Sequence, residues 1–259
     1  MPVKLFNHIV FGPVSSRRLG ISLGINLLPV DGKICSFDCI YCECGYNSRG
    51  QGKQGLPSRS DVYRALESRL QKMSVEKNSL DVITFAGNGE PTLHPQFREI
   101  IEDTLFLRDK WYPQAKVSVL SNATRITLSP VFDALSRVDN NILKLDSVNP
   151  ETVALLNAPR SGDFSVRKLI DNLKKFGGNL IIQTLFVKGQ HNGLTVDNTT
   201  REEVDEWIKA LQEIKPRQVM IYTVDRETPE KNLEKIPPEK LEEIAVRVRS
   251  AGFQVSVSA

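Results

Sequence analysis

Cysteine is absent from this chain except within one ten-residue window, where Cys35, Cys39, Cys42 and Cys44 fall together. That placement excludes a disulfide framework, which joins distant segments. Histidine is scarce too. His8, His94 and His191 lie in three separate regions and read as surface or turn residues, not as a ligand set. No stretch approaches the roughly 18 consecutive apolar residues of a membrane helix. The first ten residues are broken by Pro2, Lys4, Asn7 and His8, so the apolar core of a signal peptide is missing. A cytoplasmic protein with reduced thiols and no membrane association is expected. Net charge is only +3, too little to mark a nucleic-acid binder. It is uneven, however: residues 1–60 hold seven Lys and Arg against three Asp and Glu, so an electropositive face is expected there.

What is present is ordinary for a globular chain: 40% hydrophobic and 25% charged residues over 259 positions. No internal repeat and no linker is legible, and a single domain over residues 1–259 is expected. Short β-branched apolar runs without alternation occupy residues 80–86, 117–121, 142–146, 180–187, 219–224 and 253–257. Such runs read as buried parallel strands. Helical spacing fills the intervals at 61–73, 97–107, 130–136, 165–176, 200–214 and 238–251, with Ser60 as N-cap of the first. An earlier strand within 21–28 brings the count to about seven. The alternation predicts an α/β fold, a partial (β/α) barrel of six or seven parallel strands. Ligands of such folds sit at the carboxyl ends of the strands. Residues 45–57, with four glycines and no periodicity, read as a surface loop or a lid.

Thiolates at Cys35, Cys39 and Cys42 can converge on one soft metal centre from a single loop. A zinc knuckle that includes Cys44 is one reading, but structural zinc usually joins two separated turns, and Cys42 and Cys44 are close for two ligands of one tetrahedron. An iron–sulfur cluster suits the spacing better. Cys44 is then left over, read as a bystander near solvent or as a thiol close enough to the site to react. The Cys-x3-Cys-x2-Cys spacing, with aromatic Tyr41 before the last cysteine, resembles the signature of the radical S-adenosylmethionine (SAM) superfamily. The strand at 80–86 runs into Gly87-Asn88-Gly89-Glu90-Pro91, which resembles the Gly-Gly-Glu-Pro segment of that superfamily with Asn88 at the second glycine.

The resemblance implies a 4Fe–4S cluster held by Cys35, Cys39 and Cys42 and an open iron that chelates SAM. It implies reductive cleavage of SAM to methionine and a 5′-deoxyadenosyl radical, which takes hydrogen from a substrate. An electron donor such as flavodoxin or ferredoxin is implied as well. Cofactor-contacting candidates are Tyr41, Asn88, Glu90, Ser121, Asn122, Lys144, Asp146 and Gln183, most of them at or near strand ends. Lys144 and Asp146 share one strand face and read equally well as a buried ion pair. Gln183 and Tyr222 are also consistent with core hydrogen bonds. Arg17-Arg18 suit an anion or are solvated, and Asp225-Arg226 lie where substrates of this fold bind.

Residues 11–20, the cysteine segment and residues 222–229 together resemble the subgroup containing wyosine-forming tRNA enzymes. The second cysteine set of those enzymes is missing, and the chain ends two residues after the strand at 253–257, so neither a second cluster nor an appended substrate region is expected. Expected substrates are an RNA base or a small molecule. An activase installing a glycyl radical on a partner protein, and a non-catalytic electron-transfer protein, are the alternatives.

Overall fold

The computed structural model describes residues 5–259; Pro2 and Lys4 lie outside the described residues. A hairpin opens the fold: β1 (Val10–Ser16) pairs antiparallel with β2 (Gly20–Ile25). Alternating helices and strands follow: α1 (Arg59–Val75), β3 (Val82–Phe85), α2 (Phe97–Trp111), β4 (Lys116–Ser121), α3 (Ser129–Arg137) and β5 (Asn140–Lys144). Next come α4 (Pro150–Asn157), α5 (Val166–Lys174), β6 (Ile181–His191), β7 (Leu194–Asp197) and α6 (Arg201–Ile214). β8 (Gln218–Thr223), β9 (Leu233–Lys235), α7 (Pro238–Ser250) and β10 (Val255–Ser258) complete the chain. Strand order is β1-β2-β3-β4-β5-β6-β8-β10, with β7 and β9 added to the far half of β6. From β2 to β10 the seven strands on this path are parallel, within the range expected from sequence.

The two sheet faces differ chemically. Ile83, Phe85, Val117, Val119, Leu143, Ile182 and Ile221 point outward into one core with Leu66, Ile101, Leu135, Leu173, Leu211 and Leu241 of the helices. The inner face is mixed: Ser22 and Thr84 share a hydrogen bond of 2.8 Å, and Ile142, Ile181 and Met220 form a small apolar group with Leu19 and Leu120. A sheet covered by helices on its outer face alone curls into a half-barrel. One side chain bridges its two edges: Arg17 at the β1–β2 tip donates to the carbonyl of Ala259, next to β10.

Several boundaries differ from the sequence expectation. Ser58, not Ser60, caps α1: its hydroxyl accepts from the Asp61 N–H, and the Asp61 carboxylate accepts from the Ser58 N–H. This capping box starts the helix two residues early. β1 escapes sequence reading because Gly12-Pro13 interrupts it, which an edge strand tolerates through its bulge at 11–14. α4 escapes because eight residues show too few helical repeats. Asn149 as N-cap and Pro150 at the first position are its legible start signals. Among the described residues no helix is long and apolar enough to cross a membrane.

Candidate active site

The segment after β2 carries the cysteines over the carboxyl ends of the strands. Backbone bonds hold it on two sides. Ile34 donates to the Asn88 carbonyl at 3.0 Å and accepts from the Glu90 N–H at 3.0 Å. On the other side Asp38 donates to Asn157, Ile40 to Leu156, and Arg160 to Ser36. Gly89 makes the first seam possible. Its φ is +133°, and a Cβ there would stand 1.9 Å from the Ile34 carbonyl oxygen. From below, Asn47 accepts from the Cys35 N–H at 2.9 Å and donates to the Phe37 carbonyl at 2.9 Å.

Cys35, Cys39 and Cys42 pack in one apolar group with Phe37, Ile40, Tyr41 and Leu156. Asn122 Nδ2 lies 3.6 Å from the Cys35 sulfur, and Asn157 Nδ2 lies 3.5 Å from that of Cys39. Lys33 is buried beneath them, donating to the Gly45 carbonyl and standing 3.6 Å from Asp38. Burial works against the Lys33 ammonium, yet Cys42, Cys35, Cys39 and Asp38 hold its pKa above the ordinary lysine value. Burial pushes the Cys35 and Cys39 thiols up. Cys42 goes the other way. Contact with the Cys44 thiol outweighs burial and, with help from Lys33, lowers the Cys42 pKa below the ordinary cysteine value. In metal-free protein, alkylation of Cys42 by iodoacetamide should therefore rise with a midpoint below that of a free cysteine. Cys44→Ala should move that midpoint upward; peptide mass mapping of alkylation rates against pH reads both. An unchanged midpoint would show that Cys44 does not act on Cys42.

The strand ends supply a second polar cluster. Glu90 is buried, and its Oε1 accepts from the Thr92 N–H and hydroxyl and from Ser121 Oγ at 2.8 Å. Its Oε2 accepts from the Asn122 N–H at 2.7 Å. Burial raises the Glu90 pKa in spite of these four donors. A third cluster lies beneath Cys39. Asp146 accepts from the Tyr41 hydroxyl, from Asn157 at 2.7 Å and from the Leu185 N–H at 2.9 Å. Lys144 stands 3.4 Å from Asp146 and donates to the Tyr41 hydroxyl at 2.8 Å. Burial opposes the Lys144 ammonium, but the Asp146 carboxylate keeps its pKa raised.

A sequence model of the radical SAM superfamily matches residues 30–193, which include every side chain of these three clusters. The chain belongs to the radical SAM superfamily. A Methanocaldococcus jannaschii protein named UPF0026 is 32% identical over 241 residues, 91% of this chain and 68% of its own. A Brachyspira hyodysenteriae protein named GTPase Obg is 31% identical over 242 residues, 92% of this chain. The present radical SAM chain spans only 33% of that relative. A radical SAM methyltransferase from Sphaerobacter thermophilus shares the fold with a TM-score of 0.69 at 14% identity, over 92% of this chain and 65% of its own. Superfamily membership brings a 4Fe–4S cluster and SAM as cofactors.

The donor set of this radical SAM chain fits that cluster. No three His, Cys, Asp or Glu side chains among the described residues converge tightly enough for a single metal ion. Zinc, with thiolates at about 2.3 Å, requires such convergence. A cubane takes one thiolate on each of three separate irons, so its thiolates stand farther apart than those on a single ion, and Cys35, Cys39 and Cys42 pack in one apolar group.

Some expectations need correction. Asn88 does not offer its side-chain carbonyl to a cofactor: it is fully buried, that oxygen accepts from the Phe6 N–H, and its amide donates to Phe6 and Pro29. Cys44 is not near solvent; it is buried, with its sulfur 3.3 Å from the Gly87 carbonyl. Lys144 and Asp146 form the buried ion pair that was one of their two readings. Gln183 sits beside Lys144 in the sheet register, on the inner face. Residues 50–56 are exposed, and Asp31 anchors their start through the Lys53 and Gln54 N–H groups, as befits a surface loop. Asp225 and Arg226 are tied up in ion pairs with Arg17, Lys235 and Glu43. Lys33, Asn47 and Asn157 were not legible as site residues, because each lies in or beside a loop whose sequence resembles any other polar connection.

Proposed function

We propose that this chain is an enzyme that cleaves SAM reductively and directs the resulting hydrogen abstraction at a substrate. Cys35, Cys39 and Cys42 are the proposed cluster ligands. The observation that carries the reading is their packing in one apolar group over the strand ends, with the Cys44 thiol turned to the Gly87 carbonyl. Three protein ligands leave one iron for SAM. The cluster, when bound, supplies the electron that breaks a carbon–sulfur bond of SAM. The rest falls to the chain. Lys33 places a buried positive charge next to the three thiolates and offsets part of their repulsion. Asn122 and Asn157 orient Cys35 and Cys39. The Tyr41–Asp146–Lys144 group fixes the floor of the loop, and Gln183 offers an amide on the inner face beside it.

Glu90 is the proposed partner of the SAM ammonium. Burial raises its pKa, so a cation that reaches its Oε2 is favoured, while Ser121 and Asn122 hold the carboxylate in place. Glu90→Gln removes the charge and turns one of two acceptor oxygens, which between them face four donors, into a donor. SAM binding should weaken roughly 10- to 150-fold, the loss of one charge-assisted hydrogen bond. Equilibrium dialysis with labelled SAM reads this; equal affinity would assign Glu90 to the turn alone. Because the Glu90 pKa is raised, wild-type affinity should also fall as the pH drops through it, since protonation removes the charge.

The direct test of the function is anaerobic reconstitution followed by dithionite and SAM. Methionine and 5′-deoxyadenosine should appear together. A reconstituted protein of about four irons that yields neither would refute the proposal. In cells we assign the chain to the cytoplasm, with a flavodoxin or ferredoxin as donor, because a cluster held by three thiolates needs a reducing compartment.

A further inference from the structure

The tip between β1 and β2 brings Arg17, Arg18 and Leu19 against the inner side of the half-barrel. Arg17 is accounted for: it pairs with Asp225 at 3.2 Å and donates to the Ala259 carbonyl at 3.0 Å. Leu19 packs on Ile142, Ile181 and Met220. Arg18 lies between them, its guanidinium carbon 4.4 Å from the centre of the Tyr222 ring. Tyr222 in turn packs in the apolar group that contains Cys35, Cys42 and Tyr41. Nη1 of Arg18 is buried and has no hydrogen-bond partner among the described residues.

Stacking on Tyr222 satisfies the face of the guanidinium, not its in-plane N–H donors. A cation with a buried, unpaired N–H donor is costly unless an anion meets it. Neighbouring cations have their anions: Lys144 has Asp146, Lys33 has Asp38, and Arg226 has Glu43. Arg18 alone of this group has none among the described residues. The edge of a guanidinium matches the two oxygens of a carboxylate or phosphate in a bidentate pair. Since Nη1 is shut off from solvent, its partner enters the half-barrel as a small ligand and does not lie across the outer surface.

We propose that Arg18, stacked on Tyr222 beside the cluster loop, binds the carboxylate or phosphate group of a small-molecule substrate. The word substrate rests on the reading of the chain as a SAM-cleaving enzyme; the anion site itself does not.

The test is equilibrium dialysis of reconstituted protein against labelled inorganic phosphate or labelled acetate, with chloride holding the ionic strength. One saturable site should appear, for phosphate if the substrate is a phosphate ester and for acetate if it is a carboxylate. Arg18→Gln should weaken it roughly 10- to 150-fold, and Arg18→Lys, which keeps charge but not the fork, should weaken it less. Iron content reports whether each variant is folded. No saturable site for either anion in the wild type would overturn the proposal, and so would unchanged binding in Arg18→Gln. Displacement of the anion by SAM alone would also overturn it, since Arg18 would then serve the SAM carboxylate. If Arg18→Gln fails to fold, the wild-type titrations with and without SAM still decide. Failure of the enzyme reading is separate: the anion would bind, but dithionite and SAM would yield no 5′-deoxyadenosine.

Discussion

Replacing Cys35, Cys39 or Cys42 with Ala, one at a time, should lower reconstituted iron from about four per chain to near zero. SAM cleavage should vanish with it. Each thiolate holds a different iron of the proposed cubane, so two cannot do the work of three. Cys44 is the only other thiol, and its geometry keeps it from standing in: its thiol donates to the Gly87 carbonyl at 3.3 Å. Cys44→Ala should therefore retain the iron. Iron assay, sulfide assay and the visible absorption band of the cluster read the outcome. If the Cys44 variant loses iron while the Cys42 variant keeps it, the ligand assignment is wrong.

Asp146→Ala should destabilise the metal-free protein by about 3–5 kcal/mol, because it strands a buried ammonium. Lys144 then keeps only the Tyr41 hydroxyl, and Asn157, the Leu185 N–H and Tyr41 lose their common acceptor. Urea unfolding measures the loss. Adding Lys144→Met should recover part of it, since an apolar side chain of similar length carries no charge to bury. A loss under about 1 kcal/mol would place this pair with exposed salt bridges and remove it as a support of the cluster loop. The sign of its pH dependence follows from the raised Lys144 pKa. The stabilisation is fully present below the ordinary lysine value and is lost only as pH climbs through the higher folded value. Asp146→Ala should thus cost as much at pH 6 as at pH 8.

These results bear on how the loop is built. Asp146 comes from the end of β5, Asn157 from the end of α4 and Tyr41 from the cysteine loop itself. Helix α4 was not legible, yet its terminus supplies Asn157 and the carbonyls that receive Asp38 and Ile40. On the opposite seam the lack of a Cβ at Gly89 matters more than any side chain, and a glycine after a strand carries no mark of the segment that will approach it. Lys33 illustrates the same point. Lysine is ordinarily a surface residue, and nothing in its neighbours on the chain foretells burial under three thiols.

The sequence by itself determined the strand–helix alternation, the parallel half-barrel and the cysteine spacing, because periodicity and ligand spacing are local properties of a chain. It also singled out Glu90, Ser121, Asn122, Lys144 and Asp146, since polar groups at the ends of apolar strands are visible one segment at a time. Only the tertiary structure decided which of these meet. It turned Asn88 away to Phe6 and Pro29, joined Lys144 to Asp146 and Tyr41, buried Cys44 against Gly87, and laid Arg18 on Tyr222. Each of those contacts joins segments far apart in sequence, or depends on a burial that only packing creates. A free charge and a paired one are written with the same letter; the difference lies in what the fold brings within hydrogen-bonding reach.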